Sequence, residues 1–190
     1  MARVACDNGA VAAVHDDLSP ELVAWIGEQP MFFVATAPSD GGHVNVSPKG
    51  LDTLRVLDPF SVAYLDLTGS GVETIAHLRD NGRITFMWCA FSGKPRIVRV
   101  YGQGTVHEIG TAGFDERASL FDELPGRRSI ITVDVERVST SCGYAVPLMA
   151  LEGERDRLLD WARAKGEDAM PDYRSAKNTK SIDGLPGWRA

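Results

Sequence analysis

A chain of 190 residues with 44% hydrophobic and 24% charged side chains has the makeup of one globular domain plus an added arm, and excludes disordered, collagenous and membrane-spanning classes. The formal charge of −6, with its basic residues scattered, offers nucleic acid no attractive face, so neither a nucleic-acid nor a membrane partner is expected. Cys6, Cys89 and Cys142 are an odd, widely spaced set unlike a disulfide framework or a zinc site. Residues 1–13 lack the basic start and apolar stretch of a signal peptide, and no apolar run nears the ~20 residues a bilayer requires. The cytoplasm is the expected compartment.

In chain order, Ser19-Pro20-Glu21 is a helix start, and Leu22, Val23, Trp25 and Ile26 follow at helical spacing until Pro30. Residues 31–37 form an apolar run, and Ser39-Asp40-Gly41-Gly42 turns it into the alternating residues 43–47, together a hairpin. A short strand near 53–57 and another over 60–67 come next, the latter with Phe60, Val62 and Tyr64 on one side. Ser70-Gly71-Val72-Glu73 has capping-box spacing, and the helix it opens, with Val72, Ile75 and Leu78 on one face, ends at Asn81-Gly82.

Residues 83–91 and 96–109 are two long strands joined by Ser92-Gly93-Lys94-Pro95, with Val98, Val100 and Val106 inward and Arg99, Tyr101, Gln103, Thr105 and His107 outward. A helix over 114–123, a strand over 130–137, a glycine- and proline-punctuated stretch over 139–147 and an amphipathic helix over 151–165, closed by Gly166, complete the main body. The polar tail from Asp168 shows no period; Ile182, Leu185 and Trp188 in it point either to docking, on a partner subunit for example, or to terminal disorder. Successive hairpins favour a closed or partly closed antiparallel barrel over a parallel sheet. The expected units are an N-terminal segment and helix (1–30), a barrel domain (31–166) and a C-terminal arm (167–190).

Chemistry concentrates where the strand at Asp66-Leu67 runs through Thr68-Gly69-Ser70-Gly71 into the helix. Free N–H groups, the positive helix end and the hydroxyls of Thr68, Ser70 and Thr74 suit a phosphate, although Ser70 and Glu73 equally suit a plain helix cap. Lys49, Arg96 and Arg99 are the candidate cations. His15, His43, His77 and His107 lack metal-ligand spacing, so no metal is expected. Cys142, in a loop, is the thiol to test for reactivity, and Trp88, Tyr101 and Tyr144 are read as packing residues before flavin-stacking ones.

Three stretches carry a resemblance: Asn45-Val46-Ser47-Pro48-Lys49-Gly50, then Ala63-Tyr64-Leu65-Asp66-Leu67-Thr68-Gly69-Ser70-Gly71-Val72-Glu73-Thr74-Ile75, then Pro95-Arg96-Ile97-Val98-Arg99-Val100-Tyr101-Gly102. In this order they resemble the pyridoxamine 5′-phosphate oxidase-like group of flavin-binding split barrels; residues 141–147 and the Ser-Ile-Asp-Gly-Leu-Pro tail resemble one branch of it. The resemblance implies a mainly β fold with flanking helices, a six-stranded antiparallel Greek-key split β-barrel, a homodimer, and flavin mononucleotide (FMN) in each of two inter-subunit clefts. Carried over by position, Val46, Ser47 and Lys49 would pass along the isoalloxazine ring, with Tyr64 and Asp66 beside it. Ser70 and Thr74 would meet the phosphate, with Thr68 in the same corner, and Arg96 and Arg99 would complete the pocket.

This sequence departs from the vitamin-B6 oxidases in two places. Gly71-Val72 stands where they carry an Arg-Lys pair, and Leu185-Pro186-Gly187-Trp188 where they end in Arg-Leu-x-Pro. Vitamin-B6 oxidation is therefore not expected. The resemblance implies an FMN-dependent oxidoreductase acting on a small molecule of unspecified class, with the cofactor supplying the chemistry and no catalytic residue to name. The second reading is a non-catalytic binder or carrier of a flavin, a deazaflavin or haem.

Overall fold

The computed structural model describes residues 12–189; Cys6, the rest of the first eleven residues and the final residue of the arm lie outside them. Eight strands form one antiparallel sheet: β1 (Ala12–His15), β2 (Phe32–Thr36), β3 (Asn45–Lys49), β4 (Leu54–Asp58), β5 (Ser61–Leu67), β6 (Arg83–Cys89), β7 (Ile97–Glu108) and β8 (Arg127–Ser141). Their order is β3-β2-β6-β7-β8-β5-β4, with β1 added to β8. The expected six-stranded barrel is thus corrected to an eight-stranded sheet that does not close.

Two local causes account for the difference. At fifteen residues β8 outruns β5, which pairs with it only as far as Asp134, and the stretch Val138 to Ser141 takes β1 instead. At the other end β3 and β4 are both edges, and Pro48 in β3 has no N–H to offer a further neighbour, which suits an edge strand. The opening between β3 and β5 is where the candidate site lies.

Period-two alternation builds the core. Val62 and Tyr64 on β5, Ile84, Phe86 and Trp88 on β6, Val98 and Val100 on β7 and Ile131 and Val133 on β8 fill the interior. Phe32, Tyr64, Phe86 and Trp88 meet ring to ring with centroids 5.7–6.0 Å apart, so Trp88 is a packing residue. Helix α1 (Pro20–Gly27), capped by the Ser19 side chain, which accepts from the Leu22 N–H, adds Leu22 and Ile26 to this core. The other face of β5, Ala63 and Leu65, packs with Ile130, Phe114 and Phe121 in a second cluster. Phe60, expected as the first residue of this strand on the same side as Val62, precedes β5 and is exposed.

Helix α2 (Glu73–Asn81) ends at Gly82, whose φ of 73° makes the left-handed C-cap the sequence predicts. It begins late, however. Val72 is the N-cap with no side-chain hydrogen bond, so the Ser70 capping box does not form. The Glu73 carboxylate instead accepts from the Ile182 N–H of the arm (3.3 Å).

The expected helix over 114–123 is broken into α3 (Ala112–Asp115) and a 3₁₀ turn, Ala118–Leu120. Arg55 donates to the Leu120 carbonyl (2.9 Å), an acceptor that a continuing helix would need. The helix expected from 151 starts at Arg157 as α4 (Arg157–Lys165), because the segment before it is extended through Gly153 and lies against the cavity. The tail carries α5 (Met170–Lys177) and docks on the body of the same chain, and the isolated bridge Lys180↔Pro186 closes a loop beyond it. Among the described residues, no helix is long and apolar enough to cross a membrane.

Candidate functional site

A cavity of about 740 Å³ occupies the opening, well within the size range of small-molecule sites. β3, β5, the start of α2 and the extended segment before α4 surround it. Alternation on β3 turns Asn45, Ser47 and Lys49 one way, and Val46 the other, where it is 59% exposed. Met31, Leu51, Phe91, Met149 and Leu151 give the cavity an apolar portion, and Asn45, Ser47, Lys49, Asp66, Thr74 and Arg128 a polar one. Leu51 has a φ of 60°, a left-handed conformation unusual for a side chain of its size, and it lines the cavity.

Asp66 is the electrostatic centre. Its carboxylate, 1% exposed, accepts from Lys49 Nζ at 3.2 Å and from Arg128 Nε at 2.7 Å, so an ion pair ties β3 to β5 across the opening. Burial alone would raise the Asp66 pKa, but the charges of Arg128 and Lys49 outweigh it and hold the carboxyl below the ordinary value. Arg128 also donates through Nη1 to the Gly71 carbonyl (2.8 Å) and to Asn178 Oδ1 (3.0 Å), joining strand, corner and arm. The Tyr64 ring lies under Lys49 Nζ, 5.7 Å from its centroid. Burial first, and then the Asp66 charge, push the Tyr64 phenol well above its ordinary pKa.

At the start of α2, Thr74 Oγ1 accepts from Asn45 Nδ2 (3.1 Å), and Asn45 Oδ1 accepts from Ser47 Oγ (3.2 Å). Asn45 Nδ2 also reaches Thr36 Oγ1 (3.4 Å), which lies 2.9 Å from Nδ1 of the fully buried His77. The remainder of the corner is held by the arm. Arg174 Nε donates to Thr68 Oγ1 (3.0 Å), and Asn178 Nδ2 donates to the carbonyls of Gly69 (3.1 Å) and Ser70 (3.4 Å).

Of the residues singled out in the sequence, Ser47, Lys49, Asp66 and Thr74 line one cavity. Val46, Tyr64, Thr68 and Ser70 are close in sequence but outside its lining: Tyr64 is in the core, Thr68 is under Arg174, and Ser70 is exposed. Arg96 pairs with Glu21 (3.1 Å) over the Trp25 ring, and Arg99 donates to Ser141 Oγ (3.3 Å), and neither lines the cavity. Asn45, Arg128, Arg174 and Asn178 were missed. A signal existed for Arg128: counting back two residues from Ile130 puts it on a buried face of β8.

His43 is paired with Asp183 (2.7 Å) and His107 with Thr132 Oγ1 (3.0 Å). Cys89 is buried, and burial raises its thiol pKa. Cys142 is partly exposed.

The sequence model of the family described as pyridoxamine 5′-phosphate oxidase matches residues 18–142. The chain is 42% identical over 193 aligned positions, 91% of its length and 76% of its relative's, to an Aspergillus flavus protein described as pyridoxamine 5′-phosphate oxidase family protein ustO. A crystal structure from Lactobacillus delbrueckii, provisionally described as a pyridoxamine 5′-phosphate oxidase, superposes with a TM-score of 0.51 at 25% identity, over 65% of this chain and 94% of that one.

Proposed function

The chain belongs to the pyridoxamine 5′-phosphate oxidase family, and from that premise we propose that it binds FMN in the cavity between β3 and β5 and works as an oxidoreductase on a small molecule. One observation carries the reading: Lys49, Arg128, Thr74 and the N-terminal end of α2 converge on the polar part of a cavity whose remaining wall is apolar. That donor set fits a ligand with a flat hydrophobic body and an anionic tail. When bound, the flavin supplies hydride or electron transfer.

The chain's own residues bind and orient. Lys49 and Arg128 offer positive charge, Thr74 offers a hydroxyl, and Met31, Phe91, Met149 and Leu151 keep water from the ring. Glu73 and Glu154 also line the cavity, and the Glu73 carboxylate accepts from the Ile182 N–H. The reading includes a cytoplasmic homodimer, in which a second copy covers the apolar side chains exposed around the mouth.

Absorbance of the purified protein, with FMN titration by fluorescence quenching, tests the reading and separates flavin from deazaflavin and haem. The expected outcome is a yellow protein, or one that FMN stabilises against heat. Lys49→Ala should weaken binding about tenfold, the worth of one charge-assisted hydrogen bond of ~1.5 kcal/mol. A colourless protein indifferent to FMN would overturn the assignment.

A further inference from the structure

Two cations face one carboxylate in the wall of the cavity, so the triad of Lys49, Asp66 and Arg128 keeps a surplus positive charge. How a ligand meets that charge depends on Arg128. Its Nε donates to Asp66 Oδ2 (2.7 Å), and its Nη1 donates to the Gly71 carbonyl (2.8 Å) and to Asn178 Oδ1 (3.0 Å). Nη2 has no hydrogen-bond partner among the described residues, and it is not one of the polar atoms sealed from solvent. The side chain is only 5% exposed and lines the cavity, so the cavity is where Nη2 has room to donate.

A guanidinium beside a carboxylate readily closes a two-bond fork on it. For Arg128 that fork would put Nε and Nη2 on the two oxygens of Asp66 and leave Nη2 nothing for a ligand. Two contacts oppose it. Lys49 holds Asp66 Oδ1 (3.2 Å), and Nη1 is fixed by its acceptors on the loop and the arm. Both of those acceptors answer to Asn178: one is its own Oδ1, and the other, the Gly71 carbonyl, belongs to a loop whose Gly69 and Ser70 carbonyls accept from Asn178 Nδ2. The carboxamide can sit in only one sense, because guanidinium N–H groups only donate and carbonyls only accept. Asn178 is fully buried, and its backbone is tied at both ends: its N–H donates to the Arg174 carbonyl (2.7 Å), and its carbonyl accepts from the Trp188 N–H (2.6 Å).

We propose that Asn178, on the arm, is a positioning residue that holds the Arg128 guanidinium with Nη2 free for the cavity, and so couples the seating of the arm to the binding of an anionic oxygen there. Identifying that oxygen as the FMN phosphate rests on the reading above. Asn178 does not itself line the cavity, so it acts on a ligand through Arg128 and the loop that steers it. The coupling runs both ways: a ligand that needs Arg128 in place must in turn hold the arm down.

Two measurements decide the matter. In the first, the affinity for FMN is compared with that for riboflavin, which lacks the phosphate. Asn178→Ala should lower the ratio of the two affinities about tenfold, the worth of one charge-assisted hydrogen bond, and Asn178→Asp, which sets a carboxylate against Nη1, should lower it further. Equal losses for both flavins, the mark of a merely structural residue, or an unchanged ratio overturn the proposal. The second uses the wild type alone, so a variant that fails to fold does not end the test. Saturating FMN should slow hydrogen exchange over residues 178–189 about fivefold more than saturating riboflavin does; equal slowing overturns the coupling. If the wild type binds neither flavin, the cofactor reading falls, and inorganic phosphate replaces both in the exchange experiment. Slower exchange over 178–189 then upholds the coupling, and unchanged exchange overturns it.

Discussion

Asp66 shows how a single side chain can be costly and necessary together. It is a fully buried carboxylate, tolerable only because Arg128 and Lys49 satisfy both of its oxygens. Removing the charge leaves Arg128 buried without a counter-ion, so Asp66→Asn should cost about 3–5 kcal/mol near neutral pH. The sign of the pH dependence follows from the depressed pKa. A carboxyl held below its unfolded value of about 3.9 stabilises the fold above that pH and stops doing so as the pH falls through the folded value. The melting-temperature gap between wild type and Asp66→Asn should therefore be widest near neutral pH and narrow in acid; a gap independent of pH would contradict this account of the triad.

Among the elements, those legible in the sequence are the ones whose buried face is apolar. β2 announces itself by an apolar run, β5 and β7 by alternation, β6 by its length between turn signals, and α1 by Ser19-Pro20. What escaped, the ends of β8 and the whole of α5, hides a polar residue where a pattern would need an apolar one. β8 runs beyond the strand expected over 130–137, because it starts with the Arg127-Arg128 pair and ends in Ser139-Thr140-Ser141, and α5, which no period in the tail announced, buries Arg174 beside Met170, so its inward face reads as solvent-facing. The candidate site was half legible: Ser47 and Lys49 fall in one of the quoted motif stretches and Asp66 and Thr74 in another, whereas Arg128, Arg174 and Asn178 arrive from outside all of them. The arm's fit at the corner is close enough to test. A methyl group at Gly187 would fall 2.5 Å from the Asn178 carbonyl and 2.6 Å from Val72 Cγ1. Gly187→Ala should destabilise by about 1–3 kcal/mol and raise hydrogen exchange first over residues 178–189; unchanged protection there would show that the arm seats independently of this contact.

At the scale of the whole molecule, the open sheet leaves apolar side chains exposed on two sides: Met149 and Leu151 at the cavity with Leu148 beside them in sequence, and Val46, on the face of β3 turned from the cavity, with Val44 just before that strand. If a second copy covers them, light scattering on the purified protein should return about twice the 20.6 kDa chain mass, and Val46→Glu should shift it toward the single-chain value. A monomer in wild type would remove the dimer from the proposal. The pairing of β1 with the far end of β8 has its own consequence. The family match begins at residue 18, so a chain trimmed to it would shed β1 and leave the last turn of β8 with bare amides and carbonyls along one side. Such a fragment would keep its cavity yet present an adhesive border to its neighbours, and the four residues Ala12–His15 are better regarded as a selvedge that stops the weave from joining the next piece of cloth.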